Sequence, residues 1–311
     1  MQHSGFFLVD KPKGFTSNRV LQDIRKSLSV QSSAYPQKYG HAGTLDSFAS
    51  GLLIILTGKI TRLSRWFMHQ NKEYEAVFRF GEETDTLDPQ GKIMAIGELP
   101  ARETLERIIP SFCGNIEQIP PSYSAVHVGG ERSYKIARAG NKPEISPRSI
   151  IIHDIELESF QEKEATLRIR CSSGTYIRSL ARDIGHACGS CATVISLRRT
   201  VIGPFSISEA HSPQECNEKS IRVFSPDIAQ SLGLATAVIK LDFVEHFIHG
   251  GTLPAKAVTL DCDQMTLFRN PDFSFESKPV ALFSEKGELL GIAEQKDKEY
   301  APRVVMAEEP R

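Results

Sequence analysis

Gly40-His41-Ala42-Gly43-Thr44-Leu45-Asp46-Ser47-Phe48-Ala49-Ser50-Gly51-Leu52-Leu53 is the stretch on which the reading of the chain turns. It sets one imidazole and one carboxylate among glycines, ahead of the apolar run Gly51 to Leu56. Glycine lets a backbone turn sharply and lets a ligand approach closely. An aspartate held there is presented rigidly, although the same residue also suits a plain turn cap. The apolar run, bounded by glycines, predicts a buried strand. It is far shorter than the ~18 residues a membrane helix needs.

Upstream, Gly5 to Asp10 predicts a short strand, followed by the turn Lys11-Pro12-Lys13-Gly14. Thr16-Ser17-Asn18 offers caps for a helix whose apolar face is Val20, Leu21, Ile24 and Leu28. Downstream, Ile60 to Met68 is expected to be helical, Tyr74 to Phe80 alternates as a strand, and Thr84 to Gly91 reads as loop. A helix is expected over Arg102 to Ile109, ahead of Pro110. The prolines of Gln118-Ile119-Pro120-Pro121-Ser122-Tyr123-Ser124 interrupt regular structure. Arg132 to Ala139 predicts a short basic helix ended by Gly140. Paired strands are expected at Ile150–Phe160 and Ala165–Cys171, a helix over Thr175–Ala187 and a strand over Val194–Phe205. No βαβ rhythm is present, so the main body is assigned α+β with a mixed or antiparallel sheet.

The sequence has 311 residues, 40% hydrophobic and 24% charged, which is globular composition and about two domains at ~150 residues each. Disordered and fibrous classes are excluded. The first residues lack a secretion signal, and a cytoplasmic protein is expected. A formal charge of -1 argues against a general nucleic-acid coat. Its distribution is uneven: the basic excess is +4 over 126–205, and the balance is -6 over 206–311. A local polyanion-binding face fits that asymmetry. Six cysteines without a secretion signal are expected as reduced thiols. His186-Ala187-Cys188-Gly189-Ser190-Cys191 has zinc-ligand residue types but no second pair at the usual spacing, so buried thiols are the expectation. Past about 225 the chain turns acidic, with turns at Gly250-Gly251 and Asn270-Pro271-Asp272 and strand candidates at Val280–Phe283, Leu289–Ala293 and Val304–Met306. The division is 1–225 for the main domain and 226–311 for a small β-rich one.

Gly43-Thr44-Leu45-Asp46-Ser47-Phe48-Ala49-Ser50-Gly51-Leu52-Leu53, then Gly58 and Thr61-Arg62, resembles the central motif of the TruB family of tRNA pseudouridine synthases. Asp10 to Ser17 resembles the N-terminal motif of that family, and Lys72-Glu73-Tyr74, Gly81 to Thr86 and Gln118 to Ala125 resemble later ones. Ser173-Gly174-Thr175-Tyr176-Ile177-Arg178 and Leu197-Arg198-Arg199 complete a collinear set over about residues 5–205. One departure is Ser47, where the family usually has proline.

The resemblance implies isomerisation of the T-loop uridine of tRNA, at tRNA position 55, to pseudouridine. The N1–C1′ bond breaks, the base turns, and C5 joins C1′. Nothing is oxidised and no group arrives from outside, so neither metal nor organic cofactor is expected. By resemblance Asp46 is the catalytic carboxylate. It either attacks C1′ or takes a proton from the sugar, and both routes need it ionised. Arg178 is implied as its partner, expected to favour the charged form and lower its pKa. Tyr74 is implied to stack on the uracil and to serve proton transfer at C5. Tyr176 and Leu197 are implied walls of the base pocket, and Lys11 a contact near it. The base must be extruded from its loop, and His41 corresponds to the residue that fills its place. Arg132, Lys135, Arg138 and Lys142 lie in the segment, about 117–148, that matches a mobile RNA-gripping insertion. The tail resembles a small PUA-like RNA-binding domain. The expected partner is the T arm and T loop of tRNA, with no membrane, no obligatory protein partner and a monomeric chain. Two other readings are a non-catalytic tRNA-binding protein on the same fold and a zinc hydrolase built on His186, Cys188 and Cys191.

Overall fold

The computed structural model describes residues 4–31, 38–260 and 278–306. Cys262 and the Asn270-Pro271-Asp272 turn lie outside the described residues. The first strands in chain order are β1 (Phe6–Lys11), β2 (Tyr39–His41), β3 (Ser50–Thr57), β4 (Lys72–Phe80), β5 (Glu82–Thr84), β6 (Ile93–Ile96) and β7 (Gly114–Gln118). They continue with β8 (His127–Val128), β9 (Glu131–Arg132), β10 (Arg148–Gln161), β11 (Glu164–Cys171), β12 (Ala192–Ile202) and β13 (Phe205–Ser206). The helices of this part are α1 (Ser17–Gln31), α2 (Ser64–Met68), α3 (Arg102–Ile108), α4 (Ser133–Arg138) and α5 (Ile177–Ala187).

A nine-stranded sheet runs β1-β3-β12-β4-β11-β10-β7, with β2 on β3 and β13 on β12. All its pairs are antiparallel except β3 with β12. The sequence-predicted mixed sheet is therefore present. Strict alternation along β4, buried and half-buried in turn, puts Tyr74, Ala76, Phe78 and Phe80 on the core face and Glu73, Glu75 and Arg79 on the other. The core face carries α5, whose Ile177, Leu180, Ala181 and Ile184 pack with Phe78, Phe80, Leu167 and Ile169. Over β4, β10 and β11 the opposite face is wet, and Arg168 there lies within 4 Å of Glu73, Glu75, Glu156 and Glu158.

The parallel seam depends on one glycine. Gly51 pairs with Arg199 at a φ of +106°, and a Cβ there would lie 2.3 Å from the Arg199 carbonyl oxygen. Only glycine allows both that conformation and that approach.

Several elements differ from expectation. The segment expected as one helix from Ile60 is a 3-10 turn, Gly58–Leu63, followed by the short α2. The strands β2, β6 and β7 are not visible in local pattern, because they are short or, for β6, exposed throughout. Gln118, expected to start an irregular stretch, ends β7 instead.

The tail holds β14 (Ala235–Ile239), β15 (Leu253–Pro254), β16 (Val258–Leu260), β17 (Lys278–Phe283), β18 (Leu289–Lys296) and β19 (Glu299–Val305). They form one sheet, β15-β19-β18-β17-β14-β16; α6 (Pro226–Ser231) leads into it and α7 (Leu241–Ile248) joins β14 to β15. The tail is not packed separately. Ala281, Phe283, Leu289, Ile292 and Met306 share an apolar cluster with Phe6, Leu52, Leu56, Phe67 and Phe205 of the main body.

Candidate active site

The Asp46 loop is fastened by the N-terminal turn and by β12. Ser17, buried at the start of α1, brackets Leu45: its Oγ accepts from the Leu45 N–H at 2.9 Å and donates to the Leu45 carbonyl at 3.0 Å. The Gly14 N–H donates to the Ser47 carbonyl at 2.7 Å. Lys11 is fully buried, and its Nζ donates to the carbonyls of Ala49 (2.5 Å), Phe15 (2.7 Å) and Pro12 (3.1 Å). Burial pushes the Lys11 pKa down to about 8, while the Asp46 charge draws it up. The Asp46 carbonyl accepts from Ala49 N–H at 3.2 Å, closing the turn in which Ser47 stands. The Ser47 hydroxyl donates to Gln90 Oε1 at 3.2 Å, so the serine has a use of its own in this loop.

Arg178, the second residue of α5, is 4% exposed and reaches this loop. Its Nη2 donates to Asp46 Oδ1 at 3.2 Å. Its Nε lies 2.9 Å from Asp46 Oδ2, but the N–H is not aimed at that oxygen, so this contact is charge against charge. Nη1 donates to the Thr86 carbonyl at 2.9 Å and to Asp88 Oδ2 at 3.4 Å, and Nη2 also donates to the Tyr123 carbonyl at 3.0 Å. One guanidinium thus joins two carboxylates and three loops.

Asp88 is a residue that sequence reasoning missed. It is buried, and its Oδ1 accepts from Thr86 Oγ1 at 2.7 Å and from Gln90 N–H at 3.0 Å. It follows Leu87, whose φ of +58° is strained for a branched residue. The signal is a carboxylate in a Thr-Asp-Thr-Leu-Asp-Pro turn, which resembles ordinary loop chemistry.

The Asp46 side chain keeps 36% exposure, through the mouth of the site, while protein surrounds it elsewhere. Burial raises its pKa above the ordinary aspartate value. Arg178 pulls it down, Asp88 pushes it up, and Lys11 pulls it down further. Arg178 acts in the expected direction, and desolvation, which the sequence does not show, outweighs it.

Tyr74 is buried on β4, and burial pushes its phenol up; the Arg199 cation opposes that, and the Asp46 charge is felt there too. Tyr74 and Leu197 belong to the same apolar cluster as Leu45 and Phe48, the neighbours of Asp46 in its loop. Tyr176 is half-buried just before α5, under Arg148, whose Cζ is 5.5 Å from its ring centre. Gln118, fully buried, clamps the Tyr176 backbone: Oε1 accepts from its N–H at 2.8 Å and Nε2 donates to its carbonyl at 3.1 Å. His41 lies on β2, with Nδ1 buried and without a hydrogen-bond partner among the described residues. Burial, then the Arg199 charge, lowers its pKa, so the ring is neutral near pH 7.

Arg132, Lys135, Arg138 and Lys142 lie along β9, α4 and the segment after it, away from the buried core. They do not enter the Asp46 cluster. The insertion is tied to the site by the Tyr123 carbonyl on Arg178 and by Ile119, whose carbonyl accepts from Ser179 Oγ (2.8 Å) and Arg182 Nη2 (3.0 Å). His186 pairs with Glu83 at 2.7 Å. Cys188 and Cys191 are half-buried rather than buried as expected; burial raises the thiol pKa of Cys188, and burial followed by the Glu83 charge raises that of Cys191. Among the described residues, no helix is long and apolar enough to cross a membrane.

With this geometry in place, the likeness to known proteins is specific. Residues 29–177 match the family model described as TruB family pseudouridylate synthase (N terminal domain). Residues 178–223 match the tRNA pseudouridylate synthase B C-terminal domain. The chain is 42% identical over 221 residues to tRNA pseudouridine synthase B of Borreliella burgdorferi, covering 70% of this chain and 76% of that protein. It is 44% identical over 210 residues to the protein of the same name from Bordetella avium, covering 66% and 84%. Among solved structures, that of a Cbf5-Nop10-Gar1 complex superposes with a TM-score of 0.70 at 25% identity, covering 97% of this chain and 84% of the other. Sheet, loop and matches together define an RNA-modifying isomerase, a pseudouridylate synthase. The chain belongs to the TruB family of these enzymes.

Proposed function

We propose that this enzyme acts on tRNA and converts the T-loop uridine at position 55 to pseudouridine, with Asp46 as the catalytic carboxylate. The observation that carries the reading is the Asp46–Arg178 pair, at 2.9 Å, in a loop fastened from both sides yet open at its mouth. A carboxylate ionised at working pH suits attack on C1′ or removal of a sugar proton. Arg178 favours that ionised form against the pull of burial. Tyr74, Leu197 and Tyr176 are assigned to the base: two aromatic faces and one aliphatic wall, on which the freed uracil turns without leaving. The Tyr74 hydroxyl is assigned the proton at C5. Extrusion of the target is assigned to His41, whose neutral ring suits stacking in the vacated place. Lys11, which ties Ala49 of the loop to Pro12 and Phe15 of the N-terminal turn, is assigned as a contact near the pocket. Arg132, Lys135, Arg138 and Lys142 are assigned to the phosphates of the T arm, because they are cationic and accessible on one short insertion. The division into a catalytic body, 1–225, and an RNA-contacting tail, 226–311, is kept as part of the proposal.

The experiment is incubation with an unmodified tRNA transcript, followed by mapping of pseudouridine along its length. Product at the T-loop uridine and nowhere else is expected. Product confined to another arm would overturn the assignment of position, and no product on any tRNA would favour the non-catalytic reading.

A further inference from the structure

Arg199 is the largest fully buried side chain of the described residues. It lies on β12 with Gly51 of β3 on one side and Tyr74 of β4 on the other, each its register partner. Register partners in adjacent strands present side chains to the same face, so Arg199 and Tyr74 share the face that carries the site. Because Gly51 has no side chain, the Arg199 backbone closes directly on β3. From there the guanidinium reaches the loop: Nε donates to the Leu52 carbonyl at 2.8 Å and Nη2 to the Gly43 carbonyl at 3.2 Å. Gly43 and Leu52 are the two shoulders of the loop that carries Asp46. No carboxylate is among the partners of this guanidinium in the described residues, so its charge is not spent on an ion pair. That charge is felt at Tyr74, His41 and Lys11.

We propose that Arg199 is a positioning residue for the isomerisation: its planar fork ties both shoulders of the Asp46 loop to the strand that borders Tyr74, fixing the carboxylate and the phenol relative to each other. The proposal rests on the reading that Asp46 and Tyr74 act on the uridine. A guanidinium is suited to the task because two donors in one rigid plane reach two carbonyls at once, which an ammonium on a flexible stem does not reproduce. Its burial without a counter-ion costs folding energy, a cost that a purely structural contact between two carbonyls does not require. The buried charge has a second effect: it opposes the burial that raises the Tyr74 phenol.

The test compares the full chain with Arg199→Lys, which keeps the charge and loses the fork, and Arg199→Gln, which loses both. Single-turnover rate and RNA affinity are measured on a tRNA transcript. A fluorinated tyrosine at position 74, which ionises within the range the folded protein tolerates, reports the phenol. The lysine variant should bind RNA within about twofold of the parent, while its rate falls about tenfold or more, because small misplacement of reacting groups is costly. The glutamine variant should fall further, about a hundredfold, and only in it should the reporter titrate at higher pH. A parental rate in the lysine variant overturns the proposal, as does a rate that falls only in step with RNA affinity or a reporter that titrates alike in both variants. If the glutamine variant does not fold, the split between rate and affinity in the lysine variant decides alone. Asp46→Asn is run beside them. Pseudouridine formed by that variant would sink the reading of the site itself, whatever the Arg199 variants do.

Discussion

At the scale of the residue, the proposed chemistry needs Asp46 ionised although burial opposes it. Its pKa is raised, so activity should disappear on acidification at a higher pH than an ordinary aspartate would give, and it should follow one descending limb as Asp46 takes a proton. A rate–pH profile under single turnover checks this. Arg178→Ala removes the pull toward the charged form, so that limb should move to still higher pH and the rate should fall. The same sign governs stability. A carboxyl whose folded pKa lies above its unfolded value binds the proton more tightly when folded, so stability rises as pH falls through that range. Asp46→Asn should therefore melt at or above the parent temperature near pH 7, with the gap closing toward acid pH. Asp88→Asn should lower the rate about tenfold to a hundredfold while RNA affinity holds, because it frees one side of the guanidinium that aims Asp46.

At the scale of the element, the loop is built by its neighbours. Asp46 and Arg178 are legible in the sequence because each stands inside a dense motif. The partners that fix them are less so. Ser17 reads locally as a helix cap, and its grip on both backbone groups of Leu45 depends on a long-range approach between α1 and the loop. Gln118 reads as the edge of a proline-broken stretch, because nothing local shows that a buried amide will pair with the Tyr176 backbone. Lys11 reads locally as a solvated turn lysine, yet it is buried under three carbonyls. Local pattern reports periodicity; it does not report which distant carbonyls need a donor. The glycine of the seam gives an element-scale test. Gly51→Ala meets the Arg199 backbone at a positive φ, and should cost about 3 kcal/mol of stability, read by denaturant unfolding.

At the scale of the whole molecule, the sheet of the main body and the sheet of the tail share one apolar cluster. Phe283, Ile292 and Met306 pack in it with Phe6, Phe67 and Phe205, and Arg62 Nη1 donates to the Val305 carbonyl at 2.6 Å. The fold class and the β-rich tail are legible from alternation and turn residues. The shared core is not, because a charge shift near residue 225 marks a change of surface and says nothing of what lies beneath it. A chain ending at 225 should bind a hydrophobic dye, aggregate and melt well below the full chain, since the cut bares one side of that cluster.

Loss of the C5 hydrogen measures the isomerisation directly, because C5 must give up its proton to join C1′. A tRNA transcript carrying tritium at uridine C5 should release it with the parent chain at the T loop. Asp46→Asn should bind the same transcript with unchanged affinity and release it about a thousandfold more slowly or not at all. Release by Asp46→Asn at the parent rate would contradict the role of that carboxylate.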